Sequence, residues 1–556
     1  MVKAFAGDSL TTNFNFRSAL LEAVGKCGPI SYLKFIATAG PYYRSDTILL
    51  EGQASSIYRF ALRKMVLPEG TDRMIRFLTK KGYPSSVKTI AANYLYRAST
   101  IELDSTVSKN LASIALKEKD LNIKIPLAIA LGKTKHPSAY QSLKTLFQRE
   151  SDYRIKCNII RALSNFNYAL ADSIVYPALD DPNIHVAITA AQFFVDYGNP
   201  QRAVDYWRKA KKDITLPWQV SILLFKAANR HLPTYFAVTK GNINQELKNR
   251  LIGEGNNPHE KSALLNALSE FGWNYKYIKD QSFNSESNII RTGGVMALAN
   301  IAKDPDFRSF FGLGARRVKK ELGLFFKEAI VKGDIAMIAT AASVLREPGL
   351  DFKGALDSLN FLAIAQKGLQ LPKEIEIYNE LQQTIDFLNG KNQSELKKPD
   401  YNHPIDWSIV KEISDRTQIK IRTKKGDITL KLFHKEAPAT AANFVQLAKN
   451  GFFDGKNFHR VVPNFVIQGG CPRGDGFGGL DYTIRSELPQ MNYKDEGYVG
   501  MASSGNHTEC TQWFITHSPT PHLDGKYTIF AKVIEGMEVV HQIQIGDVIE
   551  NVLVRN

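Results

Sequence analysis

Several features that would assign a function at once are scarce or missing in this 556-residue sequence. Only four cysteines are present, far apart and with no CxxC pair, which argues against a disulfide framework and a cysteine zinc site. No apolar run approaches the roughly 18–20 residues that a membrane-spanning helix needs. Because the N-terminus lacks an apolar core of secretory length, we expect a soluble protein, cytoplasmic as the chain stands. A periplasmic or envelope location stays open if a signal precedes this sequence.

The positive charge of the chain, +16 in all, belongs to its first part. Residues 406–556 contain 17 lysines and arginines against 17 acidic residues, so the whole excess lies before them. It is spread along predicted helices, with short basic clusters at 208–212 and 316–320. We interpret these clusters as solvated helix faces and do not expect nucleic acid among the partners. A nucleic-acid-binding helical region with an accessory C-terminal domain is the alternative.

Residues 1–390 predict helix after helix, and a degenerate nine-residue template recurs among them. The template places a basic residue near the start of an apolar stripe that contains small residues. Consecutive copies lie 36, 32, 29 and 30 residues apart, with two longer steps of about twice that length. Their basic positions are Arg17, Lys88, Lys124, Lys156, His185, Lys261 and Arg291.

Periods of roughly 30–40 residues with paired helices are typical of α-solenoids, because each helix pair buries its stripe against the next pair. The template resembles HEAT-type repeats, so we predict a HEAT-like α-solenoid over 1–390. A compact helical bundle without repeats is the alternative.

The pattern changes after a polar, proline-bearing stretch, which predicts a linker over 391–410. Residues 419–423 and 427–432 alternate with period two around Lys424-Lys425-Gly426, which indicates a β-hairpin. A helix is predicted from Pro438 to about Asn450, and short strands with glycine-rich loops follow it. We therefore predict a closed antiparallel β-barrel with flanking helices as a second domain over 411–556.

Five ordered motifs in this second domain carry the strongest functional signal. They are FHRVVPNFVIQGG at 458–470, GDGFGG at 474–479, GMASS at 500–504, TQWFIT at 511–516 and LDGKY at 523–527. Together they resemble the cyclophilin family of peptidyl-prolyl cis–trans isomerases from about Ile419 to the end of the chain. The resemblance implies the cyclophilin barrel and isomerisation of X-Pro bonds in polypeptides.

The resemblance also assigns roles to single residues. Arg460 stands at the catalytic arginine of the family, and Gln468 stands at the glutamine that orients it. The proline pocket and the substrate-binding strand of the family fall on Phe465, Val466, Ala502, Ser503, Gln512, Phe514, His522, Leu523 and Tyr527. The residues that depart from those common in the family are Val466, Ser503, His522 and Tyr527. None of these departures removes the arginine, so we expect activity to survive.

An arginine suits this reaction physically. Rotation about an X-Pro bond crosses a barrier of roughly 18–20 kcal/mol because amide resonance resists twisting. In the twisted state the prolyl nitrogen regains a lone pair, which a guanidinium donor would stabilise more than either planar state. No bond breaks, so we expect neither a metal nor another cofactor.

We therefore predict an isomerase that assists the folding of proline-containing clients, with a partner or client on the helical region and no membrane span. A non-catalytic proline-peptide-binding module on a scaffold is the rival hypothesis, for which Ser503 and Val466 leave room. Taken singly, each apolar pocket residue is equally compatible with a position in the barrel core.

Overall fold

The computed structural model describes residues 13–40, 45–253, 255, 257–392 and 394–555. The first twelve residues of the predicted helical region lie outside the described residues. Contacts divide the chain into two compact units, with the division between Phe193 and Phe194. Within the described part of the chain, no helix has the length and apolar character needed to cross a membrane.

The first unit is built from helices, as the sequence predicts. They are α1 (Phe14–Cys27), α2 (Ser31–Thr38), α3 (Thr47–Leu62), α4 (Pro68–Thr79), α5 (Ser85–Arg97), α6 (Ser105–Lys117), α7 (Leu121–Thr134), α8 (Pro137–Arg149), α9 (Tyr153–Ala162), α10 (Tyr168–Val175) and α11 (Ile184–Tyr197), which contains the division.

These helices pack in two rows. Helices α1, α3, α5, α7 and α9 each pack on the next member of one row, and α2, α4, α6 and α8 form the other. Small residues allow close approach within the first row, because a Cβ on Gly132 would lie 2.7 Å from that of Ala162. Aspartate side chains begin several helices; for example, Asp104 accepts a hydrogen bond from the Val107 amide at 2.7 Å.

The second unit begins with helices and ends with a sheet. Its helices after α11 are α12 (Ala203–Lys212), α13 (Trp218–His231), α14 (Ala237–Ile252), α15 (Pro258–Leu268), α16 (Tyr275–Ser282), α17 (Asn288–Ala302), α18 (Phe307–Phe311), α19 (Ala315–Val331), α20 (Ile335–Leu345), α21 (Asn360–Lys367), α22 (Ile375–Leu388), α23 (Trp407–Glu412), α24 (Pro438–Lys449) and α25 (Met537–Val540).

The helices before the sheet repeat one packing pattern. Helices α13, α15, α17, α20 and α22 each pack on the next, and each also packs on a helix that precedes it in the chain. These helices and their packing confirm the prediction of a mostly helical region before the sheet.

The sheet contains eight strands. They are β1 (Gln418–Thr423), β2 (Gly426–Leu432), β3 (Arg460–Val462), β4 (Val466–Gly469), β5 (Tyr498–Met501), β6 (Trp513–Thr516), β7 (Ile529–Glu535) and β8 (Ile549–Arg555). Their order is β3-β4-β6-β5-β7-β2-β1-β8, and the paired neighbours are antiparallel. The predicted hairpin is confirmed, because Thr423 pairs with Gly426 across the two-residue turn.

The sheet curls around an apolar core but its assigned strand pairing does not close. Strands β3 and β8 are the edges of the described ladder, so the structure supports a curled antiparallel sheet and not the regular closed barrel. The segment before β3 still bonds the segment before β8, for example from the Phe458 amide to the Asp547 carbonyl at 2.9 Å. Helix α24 packs against the sheet through β7 and β8, and Phe444 of that helix contacts the fully buried Trp513.

The stretch between α22 and α23 contacts both the helical region and the sheet region. The described residues of 391–406 form neither helix nor strand. On one side the Asn379 side-chain amide donates to the Lys397 carbonyl at 2.9 Å. On the other side Asn402 accepts from the Thr483 amide at 2.9 Å, and the His403 ring stacks on Tyr482.

A charged network joins the helices to a loop of the sheet region. Arg473, in the loop after β4, bonds Asp334 at 2.9 Å and Asp475 at 2.9 Å. Arg291 of α17 reaches Asp334 at 2.9 Å, and Thr292 donates to Asp475 at 2.9 Å. Burial alone would raise the pKa of Asp334, but the two arginines outweigh it and hold that pKa below its ordinary value. The loop is therefore anchored to the start of α20.

Candidate active site

One row of residues crosses four neighbouring strands. Arg460 on β3 is the register partner of Gln468 on β4, which is also the partner of Phe514 on β6. Phe514 in turn pairs with Gly500 on β5. Directly opposed residues of antiparallel strands share one face of the sheet, so strand pairing alone places these four side by side.

Alternation along the strands separates this face from the core. Ile467, Trp513 and Ile515 alternate with the row residues and belong to the main core of the sheet. On the other face, Val466 and Phe514 belong to a second, smaller apolar cluster. The remaining members of that cluster and the residues packed on it are Tyr493, Tyr498, Leu523, Ile529, Phe433, Phe465, Met491, Ala502 and Tyr527.

The Arg460 guanidinium is exposed at the edge of the smaller cluster. Its Nη1 donates to Gln468 Oε1 at 3.3 Å, and its Cζ lies 5.8 Å from the centre of the Phe465 ring. The glutamine bond and the contact with the ring face both restrict the arginine. The guanidinium is held while its remaining donors stay available.

The hydrogen-bond chain continues from Gln468 into the next loop. Gln468 Nε2 donates to Gln512 Oε1 at 3.2 Å. Gln512 Nε2 then donates to the carbonyls of Gly476 and Gly478 at 3.0 and 3.1 Å. This loop is itself anchored through Arg473. Arg460 is therefore the last member of a series of hydrogen bonds whose other end is fixed.

The predicted apolar pocket residues gather in the smaller cluster, from which Phe465 contacts Arg460. Phe465 is half-buried and its ring stacks on His522 at 5.4 Å between centroids. Phe514 makes an edge-to-face contact with Tyr527 at 5.7 Å. Val466 and Leu523 are buried in the same cluster. The structure thus brings the predicted aromatic and aliphatic residues together on the face that carries Arg460.

The three remaining predicted residues border a cavity of about 280 Å³ beside this cluster. Ala502, Ser503 and Gln512 line it, together with Gln468. The opposite lining includes residues 373, 376 and 377, from the start of α22 and the turn before it. Sequence reasoning missed this contribution, because nothing in the helical pattern marks which turn contacts the sheet.

Tyr493 is a second residue that sequence reasoning missed. Its buried ring stacks on Phe514 at 5.8 Å, and its hydroxyl donates to the Tyr527 carbonyl at 3.4 Å. A Cβ on Gly500 would overlap both the Tyr493 hydroxyl and the Phe514 ring, so only glycine fits there. Asn492 and Lys494 flank Tyr493 in sequence, and this polar context gives no sign of a buried ring.

His459, which precedes Arg460 in the sequence, lacks the pKa near 7 that an acid–base catalyst needs. Burial lowers the pKa of His459 to about 4, and the charges of His259 and Arg460 act in the same direction. His459 is therefore neutral at pH 7. Among the described residues, no group of three or more histidine, cysteine or acidic side chains could hold a metal ion.

Each of the following comparisons with known proteins covers about a quarter of the chain. The family model of cyclophilin type peptidyl-prolyl cis-trans isomerases matches residues 418–555. A peptidyl-prolyl cis-trans isomerase of Helicobacter pylori (strain J99) is 44% identical over 145 residues, 26% of this chain and 90% of that protein. Peptidyl-prolyl cis-trans isomerase B of Bacillus subtilis (strain 168) is 47% identical over 128 residues, 23% of this chain and 90% of that protein. A solved cyclophilin type isomerase of Cryptosporidium parvum matches 25% of this chain and 98% of its own at 31% identity, with a TM-score of 0.24.

Proposed function

This chain belongs to the cyclophilin-type peptidyl-prolyl cis–trans isomerases, and we propose that Arg460 is the catalytic residue of its isomerase domain. The observation that carries the proposal is the row in which Arg460, Gln468 and Phe514 share one face of the sheet. A cation and an apolar ring surface lie next to each other there, as a twisted prolyl bond requires.

The proposed mechanism is stabilisation of the twisted amide. As the X-Pro bond rotates, conjugation is lost and the prolyl nitrogen gains a localised lone pair. The Arg460 guanidinium donates to that nitrogen, an interaction that neither planar isomer offers, so the barrier falls. Gln468 acts as the positioning residue, since its bond to Arg460 limits where the guanidinium points.

The remaining predicted residues bind substrate in this proposal. Phe465, Val466, Phe514 and Leu523 hold the proline ring by apolar contact, with His522 and Tyr527 packed on two of those rings. Ala502, Ser503 and Gln512 bind the polypeptide backbone that leads to and from the proline. Ser503 and Val466 depart from the residues common in the family, but both lie outside the row that contains Arg460, Gln468 and Phe514.

The same proposal gives the helical region a separate role. We infer a HEAT-like solenoid over 1–390 that recruits a protein partner or client, a linker over 391–410 and a barrel-type isomerase domain over 411–556. Recruitment would raise the local concentration of client prolines near Arg460 and so assist client folding. Backbone bonds between the segments that precede β3 and β8 support the barrel description.

Ion pairs at the template positions support the repeat interpretation. In three copies the basic residue bonds an acidic residue that lies one to three positions before the start of a later helix, which is α9, α11 or α20. The pairs are Lys124–Glu150 at 2.8 Å, Lys156–Asp181 at 2.8 Å and Arg291–Asp334 at 2.9 Å. A bond that recurs at the same place is expected of stacked repeats, and not of a bundle with unrelated contacts.

The basic clusters of the helical region favour a protein partner over nucleic acid. Arg208 and Lys209 lie beside Asp205 and Asp213, and Lys211 lies beside Glu246. Acidic residues interleaved in this way lower the potential that phosphates would meet. Duplex DNA should therefore show no binding to the full chain at 50 mM salt, and binding that falls steeply with added salt would contradict this assignment.

Isomerisation of an Ala-Pro peptide by the full chain tests the catalytic assignment. Arg460→Ala should lower kcat/KM about 100-fold or more, the usual cost of losing a transition-state donor. Arg555→Ala is the matched control, because Arg555 is exposed at the end of β8 and lies outside the row. Unfolding temperatures of both variants should equal that of the wild type. Equal kcat/KM for wild type and Arg460→Ala would end the proposal.

A further inference from the structure

The cavity beside the substrate-binding strand is a composite of two distant parts of the chain. One side is formed by Ala502, Ser503 and Gln512 of the proposed backbone-binding set. The other side is formed by Lys373, Glu376 and Ile377, from the start of α22 and the turn before it. The helical region therefore contributes directly to the space that a substrate enters next to the proline site.

One part of the cavity lining is anchored at both of its ends. It is the loop that includes Gly476 and Gly478, whose carbonyls accept from Gln512. The same loop is tied to the start of α20 through the Arg473–Asp334 ion pair. A preformed space of this kind binds a side chain without first ordering its own walls.

The cavity also has room for a long side chain. A second hollow of about 460 Å³ continues from it towards α20 and α22. Glu376, Ile377, Phe477, Ser504 and Thr508 line both spaces. A side chain that enters beside Ala502 can therefore extend past Glu376 instead of ending at a wall.

Glu376 is the acidic residue that lines this cavity. Its side chain is exposed and also lines the hollow that continues from the cavity. Partial desolvation of the carboxylate by the protein around it raises the pKa of Glu376, the nearby Glu380 carboxylate adds to the rise, and Ser504 opposes it. Within the described residues, no lysine, arginine or histidine nitrogen lies within 4.0 Å of the Glu376 carboxylate.

Lys373 is the basic residue that lines the same cavity. It lies outside ion-pair distance of Glu376, so it does not neutralise that carboxylate. The other lining groups are hydroxyls, amides, a thiol and apolar side chains. The charged side chains that line the cavity are therefore one carboxylate, that of Glu376, and one ammonium group, that of Lys373.

We propose that the helical region, through Glu376, makes this cavity a subsite selective for a lysine or arginine side chain near the isomerised proline of the substrate. The proposal rests on the proposed function, because it needs the substrate backbone beside Ala502 and Ser503. A substrate cation gives Glu376 the partner that the protein does not supply, and its aliphatic stem covers Ile377 and Phe477. Glu376 is a specificity-determining residue in this account.

Competition between charged and neutral peptides on the full chain tests the subsite. Lysine, glutamine or glutamate is placed in turn at each of the three positions before an Ala-Pro unit and at the two positions after it. At one of these positions kcat/KM for the lysine peptide should exceed that for the glutamate peptide by about 5- to 20-fold, as an ion pair of one to two kcal/mol gives. In Glu376→Gln this ratio should fall to within twofold of unity.

The matched control is Glu412→Gln, which removes a carboxylate that is exposed and remote from the cavity lining. This control should keep the wild-type ratio. Lys373→Gln provides a second variant, and it should raise the lysine-to-glutamate ratio because the competing ammonium group is gone. Thermal unfolding of each variant confirms that the fold is retained.

The outcomes separate the subsite from the catalytic assignment. A ratio that stays at its wild-type value in Glu376→Gln at all five positions overturns the subsite, whether or not Arg460 is catalytic. The subsite is also overturned if Glu376→Gln does not fold and Lys373→Gln leaves the ratio unchanged or lowers it. Full activity of Arg460→Ala overturns the proposed function instead, and is measured on the uncharged peptide.

Discussion

In the isomerase domain the proposed site residues meet because strands pair, whereas the residues that the helical region adds reach the site through contacts between elements that are distant in sequence. Arg460, Gln468 and Phe514 are register partners on adjacent strands. Glu376 reaches the same site from about 90 residues earlier in the chain, through contact between a helix start and a loop. The first arrangement leaves ordered motifs in the sequence, and the second leaves none. A site that depends on tertiary contacts between helices and loops is therefore found only in the structure.

The largest expected effect lies on the sheet side of this comparison. Phe514→Ala should lower the free energy of unfolding by about 3–5 kcal/mol, because it empties the centre of a packed cluster. The same change removes the ring proposed to hold the proline, so kcat/KM should fall as well. Phe387→Ala in α22 is the control, since that side chain is 41% exposed. Chemical unfolding measures the free energy of unfolding of both variants. Equal losses in Phe514→Ala and Phe387→Ala would contradict the claim that the cluster stabilises the domain.

The next effect concerns the link between helices and sheet. Asp334→Asn keeps a good N-cap for α20 but removes the charge between Arg291 and Arg473. We expect a loss of about 2 kcal/mol, between the values for exposed and buried ion pairs. A stability equal to that of the wild type at pH 7 would show that the network does not fasten the loop.

The pH dependence of this loss has a definite sign. The folded-state pKa of Asp334 lies below its ordinary pKa. The stabilisation that the Asp334 carboxylate gives is therefore fully present when the pH is above the ordinary pKa. The effect is lost as the pH falls through the folded-state pKa. The difference between wild type and Asp334→Asn should therefore be constant from about pH 5 to 8 and shrink below about pH 4. A difference that grows in acid would have the wrong sign.

A smaller effect is expected inside the helical region. Lys156→Met should cost about 0.5–1 kcal/mol, since the change removes one partly buried ion pair with Asp181 but keeps an apolar stem. Lys398→Met is the control, because Lys398 is almost fully exposed and lies 3.8 Å from its acidic neighbour. Equal stabilities of the two variants would weaken the argument that recurrent ion pairs define the repeats.

The smallest expected effect is no change at all. Between about pH 6 and 8 arginine keeps its charge and His459 stays neutral, with a pKa of about 4. The rate on an uncharged Ala-Pro peptide should therefore vary less than about twofold in this range. A bell-shaped profile would mean that a titrating group takes part, contrary to the proposed mechanism.

Much of the sheet region could be predicted from the sequence, for a physical reason. Period-two alternation predicts the β1–β2 hairpin, and a proline at the first helical position marks the start of α24 at Pro438. The resemblance that the five motifs carry implies which side chains gather at Arg460, and the strand register of the structure places Gln468 and Phe514 in the same row. Ladder closure was not predictable, since the bonds next to β3 and β8 come from irregular backbone.

The helical region could be predicted only in outline. Small residues such as Gly132 and recurrent basic positions indicate close-packed repeats. They do not indicate that Asp334, the N-cap of α20, also bonds Arg473 of the isomerase domain. Tyr493 and Glu376 could not be predicted from the sequence for the same reason, because the neighbours of each are distant in sequence.

The most direct test of the central claim separates binding from catalysis. Exchange NMR spectroscopy of an Ala-Pro peptide with excess full-length protein reports both its affinity and its cis–trans interconversion rate. For Arg460→Ala we predict an affinity within about threefold of the wild type and an interconversion rate lower by about 100-fold. An unchanged interconversion rate in Arg460→Ala would contradict the claim that this guanidinium stabilises the twisted prolyl bond.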